Sequence, residues 1–150
     1  MTALLKDFAT AAVAVVEPET TALVVAQLMR QHHIGALVVV DALEKTRPIG
    51  IVTDRDLVLE LMAEGLDSAV FTAGDIMSVD LVMATPEMDA ADAVELMKIN
   101  RVRRLVIAND EGQLVGIVTM EDVLSVFTRE LASLTAGMAG ARDREARERA

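Results

Sequence analysis

The chain has no cysteine, tryptophan or tyrosine, and only three phenylalanines and three prolines in 150 residues. The lack of cysteine excludes disulfides, thiolate metal sites and cysteine nucleophiles, and fits a reducing compartment. Aromatics are 2% of the residues, so stacking on nucleic-acid bases has almost no platform. Positive charge is scarce too: 14 Lys and Arg stand against 24 Asp and Glu, a formal net charge of -10. That field repels DNA, RNA and anionic membrane surfaces, so an anionic ligand needs a local cluster of cations. No stretch approaches the roughly 20 apolar residues that span a bilayer. The apolar run Phe8 to Val16 has one base before it, Lys6, followed at once by Asp7, and it stops at Glu17-Pro18. It reads as containing a strand, not as a signal peptide. A soluble cytoplasmic protein is expected, with neither nucleic acid nor membrane as partner.

What is abundant is aliphatic. Hydrophobic residues make up 53% of the chain, carried by Val, Leu, Ile, Ala and nine Met. The length suits one compact domain, or two small halves that share a core.

An internal repeat organises these residues. Val13 to Asp41 lies over Leu81 to Asn109 at a constant offset of 68, which matches Pro18 with Pro86, Ala22 with Ala90, Leu28-Met29 with Leu96-Met97 and Leu37-Val38 with Leu105-Val106. The offset then falls to 66, because "ALEKTRP" in the first copy is longer than the turn "DEGQL" in the second. "GIVTDRDL" (Gly50 to Leu57) accordingly matches "GIVTMEDV" (Gly116 to Val123). A length change confined to a polar turn is what a duplicated half-domain shows.

Each copy carries the same local signals. A short β-branched strand (Val13 to Val16; Leu81 to Ala84) stops at a Pro-Glu turn. Thr21 and Asp89 fall at N-cap positions and open helices over Ala22 to His33 and Ala90 to Arg101. Met29 and Met97 sit on their apolar faces as core fillers. Two nearly continuous apolar strands follow (Ala36 to Val40 and Ile49 to Thr53; Leu105 to Ala108 and Val115 to Thr119), so both faces of each sheet are expected to be covered. A second helix opens at Asp54 and at Met120. The fold class expected is α+β: two β-α-β-β-α halves related by a pseudo-twofold axis and packed through their sheets. The first repeat is taken as residues 1–62, a linker as 63–74, the second repeat as 75–134, and 135–150 as a charged, flexible segment, a solvated tail or a frayed helix.

The Thr-x-x-Asp that ends each strand pair has two readings. Thr53 with Asp56, and Thr119 with Asp122, are spaced as capping boxes, although Asp fits less well than Glu or Gln. Asp54 and Asp56 are read as capping residues and not as a metal pair. Yet each cap also closes a buried strand where free N–H groups and the positive helix end point outward, which suits a phosphate. A hydroxyl donates to that phosphate, and a carboxylate one turn along accepts from a ribose diol.

The doubled pattern, "GIVTDRD" and "GIVTMED", "KDFAT" and "GDIMS", "HHIGALVVVD" and "RVRRLVIAND", resembles a tandem pair of cystathionine-β-synthase (CBS) domains, a Bateman module, over about Leu5 to Leu131. The resemblance implies a regulatory, non-catalytic fold whose cleft takes an adenosine-containing ligand: AMP, ADP, ATP or S-adenosylmethionine. By resemblance, Asp56 and Asp122 hold ribose hydroxyls, Thr53 and Thr119 contact phosphate or ribose, and apolar residues near Val16 and Ala84 sandwich adenine. It also implies a homodimer and an effector protein that reads its conformation. The ligand is regulatory, not a required cofactor, and the acidic field leaves room for a Mg-nucleotide.

The two corners differ. Arg103-Arg104 precede the second strand of the second half and are expected to face the Thr53/Asp56 corner, beside Asp54 and Arg55; guanidinium groups match phosphate geometry. The matching residues of the first half are Gly35-Ala36, and Glu121 replaces Arg55. One working site at Thr53, Asp54, Arg55, Asp56, Arg103 and Arg104 is therefore expected, and a weak or empty one at Thr119 and Asp122. An enzyme is disfavoured, since there is no thiol, metal-ligand spacing, glycine-rich phosphate loop or nucleophile-base pair. The alternative function is a ligand-free dimerisation or docking scaffold.

Overall fold

A computed structural model describes residues 3–149. The offsets that align the two sequences also align their elements. In the first repeat α1 (Leu5–Phe8) precedes β1 (Val15–Val16), α2 (Ala22–His32), β2 (Ala36–Val40) and β3 (Pro48–Thr53). A short α3 (Asp54–Asp56) then continues as a π-helical segment, Leu57–Met62. The second repeat follows the same order with α4 (Ala73–Ile76), β4 (Met83–Ala84), α5 (Ala90–Asn100), β5 (Arg104–Ala108), β6 (Leu114–Thr119) and α6 (Met120–Arg149).

Capping fixes the long helices. The Thr21 hydroxyl accepts from the Val24 N–H at 3.3 Å, and the Asp89 carboxylate accepts from the Ala91 N–H at 2.7 Å. At the other ends His33 and Arg101 adopt left-handed backbone, with φ of 53° and 55°, which stops each helix one residue before the expected boundary and turns the chain into the next strand. Strands β1 and β4 are also shorter than expected. Val13 and Leu81 leave the ladder and pack where the repeats meet.

Each sheet has three strands, the middle one parallel to the first and antiparallel to the third. Side chains alternate across a strand, and in β2 that alternation serves two cores at once. Leu37 and Val39 join Val25, Met29 and Val52 under α2, whereas Val38 and Val40 meet Val106 of β5 across the junction. Leu105 and Ile107 do for α5 what Leu37 and Val39 do for α2. The halves pack through their sheets as expected, on three aliphatic clusters that contain no buried polar side chain among the described residues.

One connection is not visible in the repeat. The short α1 belongs to the first repeat by sequence but packs on the second: Leu5 is fully buried in the second cluster, and the Leu5 and Lys6 N–H groups donate to Met88 O and Pro86 O at 2.9 Å each. Reciprocally, α4 packs on the first repeat, with Ala73 N–H donating to Thr20 O at 2.7 Å and Gly74 N–H to Pro18 O at 2.9 Å. Past each short helix the chain crosses a strand of the other repeat's sheet, Thr10 bridging Ile117 and Ser78 bridging Ile51. These straps explain two glycines. A Cβ on Gly116 would stand 3.1 Å from Thr10 O, and one on Gly50 would stand 2.5 Å from the Met77 sulfur.

Helix α6 does not end with the repeat. It runs through 135–149, the segment read as a solvated tail or frayed helix, and every residue from Leu131 to Arg149 is exposed. Among the described residues no helix is long and apolar enough to cross a membrane.

Candidate functional site

Thr53 closes β3 and opens α3. Its hydroxyl accepts from the Asp56 N–H at 3.2 Å, and the Asp56 carboxylate accepts from the Thr53 N–H at 2.8 Å, a complete capping box. The Asp54 N–H is taken by Gly35 O at 2.9 Å, and the Asp54 carboxylate accepts from the Arg55 N–H at 2.8 Å. Thr119 and Asp122 repeat the box at the end of β6, with distances of 3.2 and 2.9 Å.

A cleft of about 500 Å³ opens beside the first box, within the range that holds a nucleotide-sized ligand. The first repeat supplies Ile51, Thr53, Asp54 and Arg55; the second supplies Leu81, Val82, Arg103, Arg104 and Val106. Two strap residues, Ser78 and Asp80, also line it. Ser78 arrives there because its backbone exchanges hydrogen bonds with Ile51, at 2.9 and 3.0 Å. Most of the polar lining residues are exposed, whereas Ile51, Leu81, Val82 and Val106 are half-buried or buried, so the cleft offers an aliphatic wall beside solvated charges.

The structure therefore brings Thr53, Asp54, Arg55, Arg103 and Arg104 together from two repeats, and leaves three expected residues out. Asp56 does not line this cleft; it borders a separate depression with Phe71 and Asp75, and one of its oxygens holds the cap. Val16 and Ala84, expected against adenine, are buried in the two repeat cores. Leu81 and Val82, just before β4, line the cleft instead. Neither Thr119 nor Asp122 lines this cleft or the four more open depressions described on the surface.

The electrostatics add a residue that sequence reasoning placed elsewhere. Glu121, the counterpart of Arg55, reaches the first cleft and pairs with the Arg103 guanidinium. Its carboxyl lies below the ordinary glutamate value, chiefly through a hydrogen bond from its own backbone N–H. Desolvation opposes this, while Arg103 and the Thr119 hydroxyl add to it. The cleft thus holds three guanidiniums, Arg55, Arg103 and Arg104, against three carboxylates, Asp54, Asp80 and Glu121. Among the described residues no group of three or more His, Cys, Asp or Glu is placed to hold a metal ion.

Two β-α-β-β-α repeats packed through their sheets, with exchanged straps and a polar cleft lined by both, define a tandem repeat module. The CBS domain model matches residues 5–63 and 73–129, and the chain belongs to that family as a tandem pair. It is 44% identical over 109 residues to the protein MK0525 of Methanopyrus kandleri, a match covering 73% of this chain and 55% of that protein. The chain thus spans little more than half the length of that relative. It is 41% identical over 118 residues to the CBS domain-containing protein YhcV of Bacillus subtilis, covering 79% of this chain and 81% of that one. A solved structure of CBS domain protein PAE2072 from Pyrobaculum aerophilum, complexed with AMP, superposes with a TM-score of 0.74 at 22% identity over 80% of this chain and 89% of that one. At that identity the likeness is one of fold.

Proposed function

We propose that this chain is a regulatory module, not an enzyme, which binds an adenosine-containing nucleotide in the cleft between its repeats and passes the resulting change of conformation to a partner protein, as a homodimer. The observation that carries the reading is the convergence of Thr53, Asp54 and Arg55 from one repeat with Arg103 and Arg104 from the other on a single cleft. A ligand that touches both sets is bound more tightly when the repeats are correctly docked, and so biases their arrangement. The AMP held by the Pyrobaculum relative supports the ligand class.

Charge selects within that class. Three guanidiniums are already faced by three carboxylates, so a monophosphate suits this cleft better than free ATP, and a triphosphate enters best with Mg²⁺ neutralising part of its charge. The Thr53 N–H is spent in the cap, whereas its hydroxyl only accepts there and keeps its own O–H to donate beside the arginines, the principal phosphate donors. Leu81, Val82 and Ile51 form the apolar slot for the adenine.

One observation favours a second reading. Glu121 pairs with Arg103 within the cleft and so competes with a phosphate for that guanidinium, as suits a scaffold that takes no ligand. Thermal melts with AMP, ADP, ATP, Mg-ATP and S-adenosylmethionine separate the two. A ligand at a hundred times its dissociation constant adds roughly 2.7 kcal/mol to the native state, or a rise of about 5–10 °C at this chain length. A rise with AMP that disappears in Arg104→Ala supports the sensor. No rise with any of them leaves the scaffold.

A further inference from the structure

Of the three arginines that line the cleft, one is already engaged. The Glu121 carboxylate accepts a hydrogen bond from the Arg103 guanidinium, whereas the side chains of Arg55 and Arg104 pair with no carboxylate among the described residues. The backbone sets this pairing. The Met120 N–H donates to Arg103 O at 2.9 Å, which seats the first turn of α6 beside Arg103 and delivers the next residue, Glu121, to its guanidinium. The first repeat uses the same link, Asp54 N–H to Gly35 O at 2.9 Å, but there the next residue is Arg55 and Gly35 has no side chain to meet it. One scaffold thus leaves a free cation from the first repeat and a neutralised one from the second.

Charge counting turns this into selectivity. A phosphate monoester carries a charge of about -1.5 to -2 at pH 7, and the two free guanidiniums match it. Further phosphates need the third guanidinium, and to reach it they must displace a carboxylate of their own sign. The Arg103 and Glu121 side chains are 74% and 61% exposed, so their pair exchanges readily and biases the choice of ligand without locking the cleft.

We propose that Glu121 is the specificity-determining residue of the cleft: by holding Arg103 it favours nucleoside monophosphates and turns away free di- and triphosphates. This assignment rests on the nucleotide reading of the cleft and adds to it the residue that counts phosphates. Glu121 acts through Arg103, so its effect falls on the ratio of affinities more than on the affinity for a monophosphate.

Calorimetric titration of the full chain with AMP and with ATP, each in EDTA, tests it. Glu121→Gln is expected to keep AMP affinity within about 3-fold of wild type and to raise the ATP-to-AMP affinity ratio by about 5-fold or more. Glu111→Gln makes the same charge change on an exposed turn outside the cleft and is expected to keep the wild-type ratio. In an Arg103→Ala background Glu121→Gln is expected to shift the ratio less than about 2-fold, because the guanidinium it would release is gone. All three positions are exposed, and circular dichroism is expected to show the wild-type fold in each variant. An unchanged ratio in Glu121→Gln, a wild type that prefers free ATP, or an equal shift in Glu111→Gln or without Arg103 overturns the assignment and leaves the nucleotide site standing. Binding of neither nucleotide, to wild type or to Glu121→Gln, overturns both.

Discussion

The exchange of α1 and α4 between the repeats predicts that a substitution near the N-terminus destabilises the far repeat. Leu5 is fully buried in a cluster whose other buried members, among them Ala84, Ala90, Ala93, Met97, Leu105 and Val123, all belong to the second half. Leu5→Ala removes three carbons from a site lined partly by alanines, which have no rotamers with which to fill the space. Fully buried Leu→Ala changes cost about 2–5 kcal/mol, and the poor collapse expected here puts this one at about 3 kcal/mol or more. For a chain of this length that lowers the melting temperature by roughly 6–12 °C. Urea unfolding gives the stability, and hydrogen exchange gives its location: β5 and β6 are expected to lose protection while β2 and β3 keep most of theirs. Leu43→Ala, at an almost fully exposed position, is the control and is expected within about 0.5 kcal/mol of wild type. A Leu5→Ala protein as stable as that control, or one that loses protection in β2 and β3 first, would refute the exchanged packing.

Other consequences follow from single contacts. Thr53→Ala and Thr119→Ala each remove one capping hydroxyl and are expected to cost about 1 kcal/mol apiece in urea unfolding, but only Thr53→Ala is expected to weaken nucleotide binding in a filter or calorimetric assay. Gly50→Ala drives a methyl into Met77 and displaces the strap that carries Ser78, so a loss of about 1–3 kcal/mol is expected on thermal melting, relieved in part by Met77→Ala. The Asp41 carboxylate lies below its ordinary value, first through the Glu44 N–H and then the Leu43 N–H that donate to it. Its folded value is depressed, so its contribution is present above the unfolded value and is lost as pH falls through the folded one. Asp41→Asn is therefore expected to lower the acid-side dependence of the urea midpoint and leave its slope near neutral pH unchanged.

Much of this architecture is legible in the residues because a duplication states each element twice. The N-caps Thr21 and Asp89, the apolar pairs Leu37-Val38 and Leu105-Val106, and the boxes at Thr53 and Thr119 each support their counterpart, so the sheets and helices come out in the right order. The arginines of the cleft were legible for a related reason: Arg103-Arg104 stand where the first copy has Gly35-Ala36, and such a difference between copies marks one corner as special. What was not legible depends on the third dimension. Nothing local in "KDFAT" or "GDIMS" says that each strap crosses to the other repeat, and without the crossing Ser78 and Asp80 have no reason to reach Thr53. Val16 and Ala84 pack into the two repeat cores, and which residues beside such short strands face the other repeat is decided by how the two sheets pack. Glu121 looked like a simple loss of the Arg55 charge at the second corner; its pairing with Arg103 at the first required the fold.

The central claim is that one cleft, at the Thr53 corner, binds the nucleotide. Titration calorimetry with AMP on the wild type, Arg103→Ala/Arg104→Ala and Asp122→Ala tests it in one experiment. The account predicts one AMP per chain for the wild type, at least a 10-fold weaker affinity for the arginine double variant, and wild-type stoichiometry and affinity for Asp122→Ala. Two sites per chain, or equal losses from the arginine and Asp122 variants, would contradict it.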